Sequence, residues 1–151
     1  MSDTDERLST RIRNEYIKDV ELLSKYMNWL EKTSGQQVES FYDGDEEQKL
    51  IQIPVYDSNL LAFVKDVRKT GLMDRNYRYV YTRRRIKTVE DELHLIRHAH
   101  LKDIDIFKGI LSSYVMRGQT KGAVWAEGVK NGVFLELMRR MTALFFATNV
   151  D

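Results

Sequence analysis

Apolar residues in the stretch 102–149 recur at steps of three and four, which predicts three consecutive helices. Gly118 and Gly132 mark the two joints, because a helix often ends beside a residue that tolerates a positive φ angle. Trp125 lies on the short middle helix. We predict that its side chain fills the space where the two flanking helices converge.

The last of these helices is apolar over most of its circumference. Its apolar residues are Val133, Phe134, Leu135, Leu137, Met138, Met141, Leu144, Phe145 and Phe146. A helix of this kind lies in a core or against a partner.

The N-terminal part of the chain carries a heptad-like stripe. It consists of Ile12, Tyr16, Val20, Leu23, Met27 and Leu30, and it predicts one long helix from Arg11 to about Lys32. Fewer than three full heptads favour packing onto the C-terminal helices over a dimerising coiled coil. Residues 1–10 show no such period and are predicted to be disordered, while residues 11–151 are predicted to form a single globular domain.

Between these helical parts, two short β-prone runs at 38–42 and 50–55 flank an acidic Asp-Gly turn, the pattern of a hairpin. Asp57 or Ser58 can cap a helix that ends near Lys69, and Thr88 can cap another that ends near Ala99. The predicted fold class is therefore α+β, predominantly helical, with about five or six helices and a small β hairpin or sheet.

Composition limits what this domain can do. The chain has 151 residues, a formal charge of +1 and no cysteine. A charge near zero gives no global attraction to nucleic acid or membrane. The lack of cysteine excludes disulfides and thiolate zinc sites and fits a reducing compartment. With no signal peptide and no apolar run free of charges, the expected location is cytoplasmic and no membrane partner is expected.

Three segments resemble an uncharacterised bacterial family, one of the domains of unknown function. They read IPVYDSNLLAFVKDV, TGLMDRNYRYVY and DIDIFKGILSSYVMRGQTKGAVWAEGVKNGVFLELM. The likeness extends from about Ile53 to Met141 and is carried chiefly by Gly118, Trp125, Gly128 and the pair Asn131-Gly132. It implies a mostly helical α+β domain in a bacterial protein, and it implies no activity, cofactor or catalytic residue.

The basic segment, residues 75–87, is the first candidate site. It holds six basic residues and no acidic one. If it forms a strand, Tyr77, Tyr79 and Tyr81 line one face and can stack on bases while arginines meet phosphates. The candidate residues for anion or nucleic-acid binding are Arg75, Arg78, Tyr79, Arg83, Arg84, Arg85 and Lys87. The competing interpretation, which the near-zero net charge favours, is that the tyrosines pack on the core and the arginines pair with acidic neighbours or stay in water.

A second candidate is a metal site at His94 and His98. On a helix these side chains share one face at the i, i+4 spacing of a two-histidine metal clip. The glutamate of an HExxH motif is missing. Exposed histidines among charges are far more common than metal sites, and no cofactor is expected.

Motifs for nucleophilic catalysis do not appear. Ser112-Ser113 lacks the elbow motif of hydrolases, and no phosphate loop has the Walker spacing. The sequence therefore favours a non-enzyme, although it leaves the matter open.

The first functional hypothesis is a non-catalytic bacterial interaction module that self-associates through its apolar helices, as a homo-oligomer or with a protein partner. One alternative is nucleic-acid or polyphosphate binding through residues 75–87. Another is a metal-dependent enzyme that uses His94 and His98.

Overall fold

The computed structural model describes residues 3–36, 39–43 and 52–147. Within these ranges it contains the helices α1 (Asp3–Ser24), α2 (Met27–Thr33), α3 (Ser58–Lys69), α4 (Tyr77–Arg83), α5 (Val89–His98), α6 (Ile104–Gly118), α7 (Ala123–Lys130) and α8 (Val133–Phe145). A short 3-10 turn, Leu101–Asp103, leads into α6. The segments β1 (Glu39–Asp43) and β2 (Gln52–Tyr56) pair as an antiparallel two-stranded ladder.

The predicted α+β class is wrong, because the described part of the chain is built as an all-α fold. It contains eight α-helices, where about five or six were predicted. The helices and the loops between them supply the buried apolar side chains of the described core. Two strands alone are too few to form a layer of a core. None of the described helices combines the length and apolar character needed to cross a membrane.

The N-terminal stripe is buried as predicted, with Ile12, Tyr16, Val20 and Leu23 all in the core. However, the helix begins at Asp3 and not at Arg11. The division of the chain into a disordered start and a single globular domain stays a prediction.

The long N-terminal helix is also interrupted, and α2 begins as a separate helix at Met27. Both residues at the break contact Asp66 of α3. Lys25 Nζ lies 3.0 Å from Asp66 Oδ2, and the Tyr26 hydroxyl donates to the same oxygen at 2.6 Å. Burial and this hydrogen bond raise the pKa of Tyr26 to about 12, so its hydroxyl remains a donor. The break therefore lets two consecutive side chains bind one carboxylate.

Helix α8 is covered within the chain. It contacts α1, α2, α5, α6 and α7. Seven of its side chains are buried: Val133, Phe134, Leu135, Leu137, Met138, Met141 and Phe145. Its start is as predicted, because Gly132 has a φ of 83° and the Asn131 side chain accepts a hydrogen bond from the Val133 amide at 2.9 Å. The apolar circumference that suggested self-association is thus used by the domain's own core.

The joint between α6 and α7 differs from the prediction at Gly118. This residue is the last of α6, is buried and does not have a positive φ. Glycine is needed there because a Cβ atom would overlap the indole ring of Trp125. That indole is half-buried and its Nε1 donates to the Val115 carbonyl oxygen at 2.9 Å. Trp125 therefore locks the end of α6 to α7 and lies at the edge of the core.

We expect Gly118→Ala to lower the free energy of unfolding by about 1–3 kcal/mol, the usual cost of forcing an extra methyl group into a packed site. The overlap with Trp125 outweighs the better helix propensity of alanine. Urea titration followed by circular dichroism measures the change. The matched control is Gly71→Ala, whose Cβ would lie 3.4 Å from Asp19 Oδ2, an ordinary contact. Equal stability of the two variants would contradict the proposed role of Gly118.

Candidate functional site

The middle of the basic segment, Tyr77–Arg83, forms helix α4, so the condition of a strand with three tyrosines on one face is not met. Tyr77, Val80 and Tyr81 recur at helical spacing and face inward. Val80 packs on Gly109 of α6 so closely that a Cβ atom there would lie 2.7 Å from the Val80 side chain. Tyr79 points outward and is 66% exposed. Helical packing on α6 thus separates Tyr79 from Tyr77 and Tyr81, whose ring centres lie 6.5 Å apart.

The arginines at the end of α4 are paired with acidic residues near the start of α6. Arg84 donates to both oxygens of Asp105, at 2.8 and 3.1 Å, and Arg83 donates to the same carboxylate. Arg84 Nη2 also lies 3.4 Å from Asp103 Oδ1. Burial raises the pKa of Asp105, but the hydrogen bonds from Arg84 and Arg83 outweigh it and the net pKa is lowered. These two arginines therefore fasten α4 to α6.

Arg85 ends α4 in a left-handed conformation, with a φ of 58°. Its amide donates to the Thr82 carbonyl and the Ile86 amide donates to the Tyr81 carbonyl, at 3.2 and 2.9 Å. This pair of hydrogen bonds is a Schellman motif, in which the left-handed position usually belongs to glycine. The turn directs the chain from α4 into the loop that carries Lys87 and the cap of α5.

An open cleft of about 510 Å³ lies between α4, α5, α6 and α7. We call it the Glu92 cleft. Its α4 side is formed by Tyr77, Arg78, Tyr81 and Thr82, and the loop and the start of α5 add Ile86, Lys87, Thr88, Val89 and Glu92. Ser113, Tyr114 and Arg117 of α6 and Glu127 of α7 complete it. Its volume falls within the range of small-molecule sites.

Glu92 lies at the base of this cleft and is only 4% exposed. Its Oε1 accepts a hydrogen bond from the Tyr114 hydroxyl at 2.6 Å, and its Oε2 accepts one from the Tyr81 hydroxyl. Burial raises the pKa of Glu92, although both tyrosine hydrogen bonds and the charge of Arg117 act to lower it. Burial next to this carboxylate also raises the pKa of both tyrosines. The hydroxyls consequently stay protonated and act as donors.

The cap of α5 fixes the position of Glu92. Thr88 and Asp91 form the predicted capping box, in which each side chain accepts a hydrogen bond from the other residue's amide. Asp91 also accepts from the Lys87 amide at 2.9 Å, and this hydrogen bond is the main cause of its lowered pKa. The loop that carries Lys87 is thereby held against the first turn of α5, beside Glu92.

Exposed cations line the rim of the cleft. Arg78 and Lys87 lie on one side and Arg117 on the other. Arg117 is oriented by its Nε, which donates to Ser113 Oγ at 3.0 Å, and its guanidinium lies 5.0 Å from the centre of the Tyr114 ring. The arrangement therefore places positive charge at the rim and a buried carboxylate at the base, suited to a polar ligand with an anionic group.

The structure brings only two of the predicted anion-binding residues, Arg78 and Lys87, into the cleft. Arg75 and Tyr79 are exposed and do not line it, while Arg83, Arg84 and Arg85 hold the end of α4. Sequence reasoning missed Glu92, Tyr114 and Arg117. The spacing of Tyr81, Glu92 and Tyr114, 11 and 22 residues apart, gives no local signal.

His94 and His98 share a face of α5, as their spacing predicts. Both are exposed, and their ring centres are 4.3 Å apart. His98 Nδ1 donates to the His94 carbonyl oxygen at 2.8 Å, which leaves Nε2 as its free ring nitrogen. Among the residues described, no three His, Asp or Glu side chains gather into a set that could hold a metal ion. The metal hypothesis therefore has no third ligand in this part of the chain.

Comparison of the chain with protein-family models, curated proteins and solved structures gave no significant match. The resemblance to a bacterial domain of unknown function thus stays a prediction.

The buried carboxylate predicts a pH dependence of stability. Because burial raises the folded-state pKa of Glu92 above its ordinary value of 4.5, the folded state holds this proton more tightly than the unfolded state. The resulting stabilisation is complete below pH 4.5 and is lost as the pH rises through the folded-state pKa. Glu92→Gln cannot titrate. As the pH rises through this window, the free energy of unfolding of the variant should therefore increase relative to that of the wild type, by at most about 1.4 kcal/mol per pH unit.

Urea titrations of both proteins from pH 4 upward measure this difference. Glu90→Gln, which removes an exposed carboxylate from the same helix, is the control and should not reproduce the trend. A difference between Glu92→Gln and wild type that does not vary with pH would show that Glu92 has the same proton affinity in both states.

Arg85→Gly should stabilise the protein by up to about 1 kcal/mol. It removes the strain of a left-handed non-glycine residue, and the greater freedom of glycine in the unfolded chain offsets part of the gain. Thermal unfolding measures the shift. Arg83→Gly, inside the helix, should have the opposite sign because it loses both helix propensity and the Asp105 contact. If Arg85→Gly lowers the melting temperature, the contacts of the Arg85 side chain stabilise the folded state by more than its left-handed backbone conformation destabilises it.

Proposed function

We propose that the protein is a non-catalytic cytoplasmic module that binds phosphate-bearing ligands, with the phosphate received at the rim of the Glu92 cleft. One observation carries this proposal. Arg78, Lys87 and Arg117 line a single cleft, and within the described residues none of them makes an ion pair with a carboxylate. Arg83 and Arg84, in contrast, have acidic partners close by.

Cations at a rim of this kind favour phosphate for physical reasons. A guanidinium group can donate two parallel hydrogen bonds to a phosphate, and an ammonium group adds a compact charge. Two guanidinium groups and one ammonium group suit a dianion better than a single carboxylate. The near-zero net charge of the chain leaves this attraction local, so it depends on the three side chains themselves.

Nucleic acid and polyphosphate are the two candidate sources of the phosphate, and the exposed ring of Tyr79 on α4 bears on the choice. Tyr79 is 66% exposed, and the Arg83 guanidinium lies 5.8 Å from the centre of its ring. An exposed aromatic ring with a stacked cation is a surface on which an unpaired base can stack. This surface supports a single-stranded nucleic acid as one source of the phosphate.

Self-association has lost its original support, because α8 is covered by other helices of the same chain. The large apolar side chains that remain exposed in the described part are Leu22, Leu61, Tyr79 and Phe146. A homo-oligomer and a protein partner stay predictions, and light scattering tests the first of them.

Fluorescence anisotropy in low salt tests the proposal, with a labelled single-stranded oligonucleotide in one arm and polyphosphate as its competitor in the other. Arg78→Gln/Lys87→Gln should weaken binding by about tenfold or more, the loss expected when charged hydrogen bonds to phosphate are removed. Raising the salt concentration should weaken wild-type binding as well.

The matched control is Lys65→Gln/Arg68→Gln on α3, which removes the same charge from two exposed positions away from the cleft. It should bind as the wild type does. If both double variants lose the same affinity, binding follows net charge and the cleft is not the site. If neither the oligonucleotide nor polyphosphate binds the wild type, the proposal fails.

A further inference from the structure

Resting on the proposed phosphate site, we propose that the Glu92 cleft binds a small phosphorylated compound that also carries a protonated amine. The phosphate contacts Arg78, Lys87 and Arg117 at the rim, and the ammonium group contacts Glu92 at the base. The ligand class is therefore a phosphorylated amine, in which opposite charges stand a short distance apart.

The first step in this inference is that Glu92 has acceptor capacity left. An ionised carboxylate can accept about four hydrogen bonds, and here the tyrosine hydroxyls supply one to each oxygen. Glu92 also forms part of the cleft wall, so a ligand can reach it from the open side. The ligand must therefore supply a hydrogen-bond donor to Glu92. Among the described residues, no positively charged group lies within ion-pair distance of this carboxylate.

The second step concerns charge. A ligand that is anionic throughout can bind at the rim, but its entry into the cleft would bring negative charge towards a buried carboxylate, where the repulsion between charges is only weakly screened. Glu127, on the α7 side of the cleft, would add to this repulsion. An ammonium group beside Glu92 removes the conflict and gives this buried carboxylate a cation within ion-pair distance.

The third step is the order of the charges. Glu92 is 4% exposed, whereas Arg78, Lys87 and Arg117 are all exposed. A ligand that satisfies both groups must enter with its amine first and leave its phosphate at the mouth of the cleft. The volume of about 510 Å³ accommodates a compound of this size.

Isothermal titration calorimetry with two probes tests the inference. Phosphoethanolamine and ethyl phosphate have the same phosphate and nearly the same length, and only the first has an amine. Wild-type protein should bind phosphoethanolamine about tenfold more tightly, the difference expected from one charged hydrogen bond. Glu92→Gln should reduce this preference to within about twofold, with little loss of ethyl phosphate binding.

The outcomes separate the two proposals. Equal binding of both probes to the wild type overturns the phosphorylated amine and leaves the phosphate site standing. A preference that survives in Glu92→Gln shows that the amine is recognised elsewhere and also overturns it. Binding of neither probe contradicts both this inference and a phosphate site at the cleft. The wild-type preference needs no variant, so the inference can fail even if Glu92→Gln does not fold.

Discussion

The burial of the Glu92 carboxylate is the constraint on which the arrangement of α4, α5 and α6 depends. Taking an ionised carboxylate out of water costs several kcal/mol, and each charged hydrogen bond returns only about 1.5–3 kcal/mol. The two tyrosine hydroxyls, one from α4 and one from α6, therefore roughly balance the cost and leave little surplus. Displacing either helix would remove one of these hydrogen bonds and leave part of the cost of burying the charge unbalanced. The carboxylate thus specifies how the three helices meet more than it stabilises them.

This constraint extends to the C-terminal helices through Tyr114. Its hydroxyl donates to Glu92 and accepts a hydrogen bond from the Asn131 side chain at 2.9 Å. The Asn131 oxygen in turn accepts from the Val133 amide at the start of α8. A continuous series of hydrogen bonds therefore runs from the cleft to the joint between α7 and α8. The tight contact of Val80 with Gly109 brings α4 close enough to α6 for the series to begin.

Local signals in the sequence predicted the parts of this fold that depend on local chemistry. The stripe from Ile12 to Leu23, the capping box at Thr88 and the turn at Gly132 follow from spacing and backbone preference, and the structure confirms them. The helix of the basic segment was missed because alternating tyrosines also fit a strand, and the packing of Val80 on Gly109, which is distant in sequence, gives no local signal. Glu92 could not be singled out among 23 acidic residues, since its burial depends on hydroxyls that are distant in sequence.

The ion pairs of Arg83 and Arg84 show why a run of basic residues in a sequence does not by itself predict a surface of unpaired cations. Helical geometry divides the run, so that Arg83 and Arg84 meet Asp105 while Arg78 and Lys87 face the cleft. The paired arginines are already neutralised and their carboxylate is held ionised, so a ligand would have to compete with an existing ion pair to reach them. To bind an anion, Arg78 and Lys87 would lose hydration but would not have to break an ion pair with any described residue. Four of the six basic residues thus divide into two pairs: Arg83 and Arg84 hold α4 against α6, and Arg78 and Lys87 line the cleft.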